Sequence, residues 1–247
     1  MHRFFITPES VSENEILITG EDVKHIINVL RMKKSEEAVL CDGEGNDYYC
    51  TLEQFDKSFV KALIKQKQQN NAEPLIDVTL FQGIAKGDKM DFIIQKNVEM
   101  GVKTIVPVIT SRTIVKLFDK KDIEAKVQRW QRIALEAAKQ CGRGIIPIVK
   151  TPISLMKAYE NSKNFELNIM PYEKEKSTSL REVITGKRPK SIAIYIGPEG
   201  GFSEEEASQA LLCGLKCVTL GERILRTETC ALVLMSILMY EMGDVKV

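Results

Sequence analysis

The densest group of residues able to do chemistry is IGPEGGFSEEE, Ile196 to Glu206. Three glycines and a proline let a backbone come close to something flat or bent, although a tight strand-to-helix turn would use the same residues. Ser203 and Glu206 are spaced as a capping box, and Glu204 and Glu205 add carboxylates to the same first helical turn. A phosphate site needs a positive helix end with free amides. Here the end is already neutralised, so a cationic or neutral ligand is expected in place of a polyphosphate. The sulfonium of S-adenosylmethionine suits that requirement.

A second segment, LGERILRTETCALVLMSIL from Leu220 to Leu238, repeats the device. A strand ends at Gly221, a loop carries Arg223 and Arg226, and a helix follows that Thr227 or Thr229 would cap. Two arginines beside a glycine-rich loop can hold a polynucleotide phosphate or orient a base carbonyl. A third segment, Met170-Pro171-Tyr172-Glu173, also follows an apolar run. All three would meet at the carboxyl edge of one sheet, where open α/β folds bind ligands.

The elements that must position these segments fall into two groups. KQKQQNNAEP, Lys65 to Pro74, reads as a linker and predicts domains at 1–72 and 73–247. Before it, short alternating runs separated by turn signals predict a small β-barrel or meander, with one helix from Asp22 to Met32. After it, the runs DVTLFQGI, KTIVPVIT, GIIPIV, FELNIM, SIAIYIG and KCVTLG alternate with amphipathic segments, which predicts an α/β domain with a mainly parallel sheet. One helix aligns Met90, Ile93, Ile94, Asn97 and Val98 before Gly101. Another aligns Trp130, Ile133, Ala134, Ala137, Ala138 and Cys141 before Gly142. The last, from about Glu228 to Met242, is apolar almost all round and should be buried on more than one side, by a second copy if necessary.

With 44% hydrophobic and 28% charged residues among 247, and no apolar stretch of membrane-spanning length, the chain reads as an ordinary globular protein. MHRFFITP carries no signal-like apolar core, so the cytoplasm is the expected location. Six cysteines without a CxxC pair, and only two histidines, predict reduced thiols and no metal. The net charge of +1 neither supports nor excludes a nucleic-acid partner.

GPEGGFSEEE together with LGERILRTET and EAAKQCGR resembles the ribosomal RNA small subunit methyltransferase E family, the uridine N3-methyltransferases of 16S ribosomal RNA. The likeness extends over the whole chain, through MHRFFI, VKHIINVLRMKKSEEAVLCDGEG, GIAKGDKMDFIIQKNVEMGVKTIVPVITSRTIVK and RWQRIALEAAKQCGR. It implies a PUA-like RNA-binding β-barrel followed by a SPOUT methyltransferase domain with a C-terminal trefoil knot. It further implies a homodimer, S-adenosylmethionine as the cofactor, and small-subunit ribosomal RNA or an assembly intermediate as the partner. Carried onto this chain, the cofactor would lie against Met170, Pro171, Ile196, Gly197, Pro198, Glu199, Gly200, Gly201, Leu220, Gly221, Ile224, Leu225, Arg226, Thr227 and Thr229. Asn97 and Val98 stand where smaller residues are expected, and Ser111 and Thr113 flank Arg112 where the pattern varies.

Uridine N3 is a poor nucleophile until its proton leaves. Arg226 or Arg112 is expected to stabilise the charge that spreads onto the uracil carbonyls. Glu199 would take the proton or orient the base, or else bond loop amides structurally, and Glu228 is a weaker candidate. Arg3, His25, Arg31, Arg112, Lys116 and Arg143 are the candidates for RNA contact, with packing as the alternative for His25. Two other functions remain open. One is a methyltransferase of transfer RNA or of ribose 2′-hydroxyls, and the other is a non-catalytic RNA-binding protein.

Overall fold

A computed structural model describes residues 1–115 and 119–243. Lys116 lies outside the described residues. Two compact units result, one of Met1–Glu73 with Ala138–Ile146, the other of Pro74–Ala137 with the chain from Pro147 onward. The segment Ala138–Ile146, expected in the second domain, therefore counts with the first.

In the first unit, strands β1 (His2–Phe5), β2 (Glu15–Thr19), β3 (Glu37–Cys41), β4 (Asn46–Phe55) and β5 (Phe59–Gln69) form one sheet in the order β1-β3-β4-β5-β2. Only β1 with β3 is parallel. β1 and β2 stand at opposite ends of this order, so the barrel expected from the sequence is a half-barrel whose edge strands do not pair among the described residues. Register shifts at Tyr49/Cys50 and Leu52/Gln54 bend β4. The concave side is filled by Phe4, Ile16, Ile18, Leu40 and Leu52, with Val23 and Ile26 from a short helix. That helix is α1 (Glu21–Lys24), continued by a π-turn over His25–Val29, and it ends before the expected Met32. Arg31, at φ 53°, turns the chain out of it.

A polar network holds the Ala138–Ile146 segment in this unit. Arg143 is 3% exposed, and its Nη2 donates to Glu73 Oε2 at 2.6 Å, while the amides of Gly144 and Ile145 donate to Glu73 Oε1 at 3.2 and 3.1 Å. Arg3 grips Asp47 with both terminal nitrogens, at 2.8 and 2.9 Å. Asn70 bridges Asp47 Oδ2 and the Gly142 carbonyl, at 2.8 and 3.0 Å. Burial opposes the charge on Asp47, but the hydrogen bonds from Arg3 and Asn70 outweigh it and hold the carboxyl below its usual range. Arg3 and Arg143, candidates for RNA contact, are engaged here as ion-pair partners of Asp47 and Glu73, Arg3 partly and Arg143 almost wholly buried.

The second unit is built on β6 (Asp77–Gly83), β7 (Thr104–Ile109), β8 (Ile148–Val149), β9 (Ile153–Ser154), β10 (Leu167–Pro171), β11 (Ser191–Ile196) and β12 (Lys216–Val218). The order is β12-β10-β11-β6-β7-β8, with β9 also on β7, and every pair is parallel. Strands buried on both faces explain the continuous apolar runs, such as Ile192 to Ile196 in β11, all of them buried. The helices are α2 (Asp88–Glu99), α3 (Lys120–Cys141, of which the residues from Ala138 count with the first unit), α4 (Leu155–Glu160), α5 (Leu180–Ile184), α6 (Glu204–Leu212) and α7 (Thr227–Glu241). On α2 the aligned face Met90, Ile93, Ile94, Asn97 and Val98 is buried, and Asn97 is accommodated by donating to the Ile93 carbonyl at 2.7 Å. From β6 the chain leaves towards β7, whereas from its neighbour β11 it leaves towards β12. A switch point, where the loops diverge and open a crevice, therefore lies between these two strands.

Replacing Arg143 by Met should leave the half-buried Glu73 without this counter-charge. We expect a stability loss of about 3 kcal/mol, seen as a lowered denaturant midpoint at constant slope. A loss under ~0.5 kcal/mol would show that the network does not hold this segment.

Candidate functional site

At the carboxyl ends of β10, β11 and β12 a cavity of about 470 Å³ is lined by three loops, 171–173, 196–202 and 218–227. Lys89 of α2, Lys176 and Cys230 of α7 complete its wall. Its glycines are required by close packing. Gly201 has φ +67°, and a Cβ on Gly197 would come within 3.0 Å of the Gly201 main chain. A Cβ on Gly83, below the loop, would lie 2.5 Å from the Pro198 nitrogen.

Of the residues expected at the cofactor, Pro171, Ile196 to Gly201, Leu220, Gly221 and Ile224 to Thr227 line this cavity. Met170 and Thr229 do not. Met170 is buried in the core beneath, with its Sδ 3.5 Å from the Tyr159 hydroxyl, and Thr229 is exposed on α7. Neither Thr227 nor Thr229 caps α7. The N-cap is Arg226, in extended conformation without a side-chain cap bond. Thr227 instead donates to the Gly197 carbonyl at 2.6 Å.

The capping box on α6 is present, with Glu206 N donating to Ser203 Oγ at 3.1 Å and Ser203 N to Glu206 Oε2 at 2.9 Å. The other Glu206 oxygen accepts from the Ser111 amide at 2.8 Å, so this carboxylate also fastens the loop after β7. Arg112 reaches from that loop to the Gly200 carbonyl, 2.6 Å away, and its stem packs on Gly200. Glu199 Oε1 accepts from the Lys86 amide at 3.0 Å and lies 3.5 Å from Lys89 Nζ. Burial works against its charge, but the Lys86 amide and the Lys89 ammonium prevail, and its pKa is lowered. A carboxylate stabilised in this way is a poor proton acceptor, and the arrangement fits loop anchoring better than base catalysis.

Arg226 and Arg223 line the cavity with exposed side chains that make no hydrogen bond or ion pair among the described residues. Glu228 does not line it; its Oε2 is buried without a hydrogen-bond partner. Cys230 is pushed up to about 12 by burial and stays a neutral thiol. In the first unit, His25 and Arg31 are exposed, and the His25 ring meets Phe4 edge-on at 6.3 Å.

The donor set suits S-adenosylmethionine. Ile196, Leu220 and Leu225 offer apolar surface for an adenine, glycine main chain offers amide contacts, and Glu173 is a carboxylate without an ion pair among the described residues. Lys89, Thr219 and Cys230 were not expected from the sequence, and neither was the support from Gln82 and Gly83. Their one signal is a glutamine and a glycine closing the apolar run DVTLFQGI.

A family model described as an RNA methyltransferase domain matches residues 71–239, and one described as an RNA methyltransferase PUA domain matches 18–65. Ribosomal RNA small subunit methyltransferase E of Bacillus subtilis (strain 168) is 36% identical, over 98% of this chain and 97% of its own. The protein of that name from Mesomycoplasma hyopneumoniae (strain 232) is 36% identical, over 96% of this chain and 98% of its own. The structure of ribosomal RNA small subunit methyltransferase E from Neisseria gonorrhoeae, bound to S-adenosyl methionine, superposes with a TM-score of 0.89 at 33% identity, covering 100% of both chains.

Two outcomes follow from the loop geometry. Gly83→Ala must displace the Gly197–Pro198 peptide, and should weaken ligand binding in this cavity at least tenfold in a calorimetric titration, whereas unchanged affinity would mean the loop is free to shift. Because the Glu199 pKa is depressed from 4.5, its contribution to stability is present above that value and lost as pH falls through the lower folded one. Glu199→Gln should therefore flatten the fall in melting temperature as the pH drops below 4.5. An acid limb as steep as that of the parent would remove Glu199 from this role.

Proposed function

The chain belongs to the ribosomal RNA small subunit methyltransferase E family, and we propose that it methylates N3 of a uridine in 16S ribosomal RNA with S-adenosylmethionine as methyl donor. The observation that carries this reading is the cavity over the carboxyl ends of β10, β11 and β12, walled by three loops, in a chain whose relative of known structure carries that donor. S-adenosylmethionine supplies an electrophilic methyl group on a positively charged sulfur. The chain's own part is to hold the donor, exclude water and favour the uridine anion.

Ile196, Leu220 and Leu225 would hold the adenosine, with the main chain of Gly197 to Gly201 contacting its polar edges. Arg226, at the cavity without an acidic partner, is assigned to the negative charge that spreads over the uracil carbonyls as N3 loses its proton. Arg112 is assigned to holding Gly200, since its guanidinium is already engaged there. Glu199 is assigned to anchoring the loop.

Lys24 and Arg31, both exposed on the first unit, give it cationic groups for RNA phosphates, and the exposed His25 adds a ring able to hydrogen-bond. A homodimer in the cytoplasm completes the proposal. On α7, Ala231, Leu234 and Leu238 are buried, whereas Leu232, Val233 and Ile237 are half-buried and Tyr240 is exposed. That second face is the surface a second copy would cover. No described helix is long and apolar enough to cross a membrane.

The test is transfer from S-adenosylmethionine to small ribosomal subunits from cells lacking the modification, followed by nucleoside mass spectrometry. 3-Methyluridine is expected. A 2′-O-methyl nucleoside, or labelling of transfer RNA alone, would overturn the assignment. Arg226→Ala should lower kcat about 100-fold, with donor affinity changed only a few-fold. A kcat near that of the parent would remove Arg226 from the chemistry.

A further inference from the structure

Beneath the cavity, three points far apart in the chain converge on one carbonyl. Gln82, fully buried at the end of β6, pairs in register with Ile196 of β11. Its Nε2 carries two hydrogens. One goes to the Gly83 carbonyl at 2.9 Å and the other to Thr227 Oγ1 at 2.9 Å. Thr227, 6% exposed, has a single hydroxyl hydrogen, which it donates to the Gly197 carbonyl at 2.6 Å. This amide orientation is favoured because the Gly83 and Gly197 carbonyl oxygens lie beside Gln82 Nε2, and a flip would set Oε1 against both and leave the Gly197 carbonyl without the Thr227 hydrogen. Gln82 Oε1 is itself buried without a partner. Burying an amide with one end unsatisfied is unfavourable, so the donating end must be held by something of comparable strength.

We infer that Gln82 is a positioning residue for the methyl-donor site, acting through Thr227 to clamp the Gly197 carbonyl and so fix the loop 197–201 against the start of α7. The inference rests on the methyl-donor reading of the cavity. Gln82 does not itself line the cavity; its Nε2 lies 3.5 Å from the Gly197 carbonyl, and its shorter bond sets where Thr227 stands, which in turn sets where the glycine loop begins. Gly83 completes the seat from below, since the loop peptide lies where its Cβ would be. The clamp joins β6, the loop after β11 and the first residue of α7, so two of the three cavity walls are registered to each other by one relay of hydrogen bonds.

The test compares Thr227→Val, Thr227→Ser and Gln82→Met by calorimetric titration with S-adenosylmethionine, and by steady-state kinetics with small subunits. Thr227→Val removes both bonds at near-constant volume, and Gln82→Met removes the first donor. Each should weaken donor binding about tenfold and raise the KM for the donor, while the KM for RNA stays within twofold. Thr227→Ser, which keeps the hydroxyl, should restore binding to within about twofold. In the unliganded protein the Gly201 amide, which donates to the Pro198 carbonyl at 2.9 Å, should exchange faster in Thr227→Val than in Thr227→Ser. Should Gln82→Met fail to fold, the Val and Ser pair at Thr227 decides alone. Parent-like donor affinity in a folded Thr227→Val, or equal loss in Val and Ser variants, overturns the clamp. A parent protein that binds no donor overturns the methyl-donor reading instead, and the exchange rate of the Gly201 amide still tests the clamp.

Discussion

The seating of the Gly197–Pro198 peptide on Gly83 is the contact on which the rest of the site depends. A parallel sheet leaves its carboxyl edge open, and a loop leaving β11 has no reason of its own to fold back over β6. It does so because position 83 carries no side chain and because Gly197 offers a carbonyl to Thr227. Once that peptide is down, Glu199 reaches the Lys86 amide, Arg112 reaches Gly200, and Glu206 can both cap α6 and hold Ser111. Several polar side chains that look available for chemistry are therefore engaged in shaping the cavity, and Arg226 and Arg223 stand out as basic groups on its wall with no partner among the described residues.

Electrostatics limits what such a cavity can accept. The first turn of α6 carries Glu204, Glu205 and Glu206, with Glu206 folded back on the Ser203 amide and Glu204 paired with Lys174. A helix end furnished in this way does not invite phosphate. Lys89 is neutralised by Glu199, while Glu173 makes no ion pair among the described residues, which leaves a carboxylate for a cationic ligand. A sulfonium donor and a neutral base that becomes an anion only during reaction are both compatible with walls of this kind.

Much of this was legible in the sequence, for identifiable reasons. Apolar runs of strand length reveal a parallel sheet because its strands are buried on both faces, and the Ser203/Glu206 spacing reveals a helix start because the capping bonds are local. Contacts between distant segments leave no such trace. Nothing local distinguishes Arg143, a buried partner of Glu73, from a surface arginine that meets RNA, and the same holds for Arg3 beside Asp47. Thr227 looked like a cap because threonine before an apolar run commonly is one, whereas here its hydroxyl points to Gly197. Alternating strands suit a closed barrel as well as an open meander, so the sequence leaves both open for the first unit. The parallel pairing of β1 with β3, which sets β1 at one edge, is visible only in three dimensions.

The central claim is that the three loops at the carboxyl edge of the parallel sheet form one site for S-adenosylmethionine. The most direct measurement is amide hydrogen exchange across the whole chain with and without saturating donor. The account predicts slowed exchange in 171–173, 196–202 and 218–227, with residues 1–73 unaffected and no such slowing when ATP replaces the donor. Protection confined to other segments, or the same protection from ATP, would contradict it.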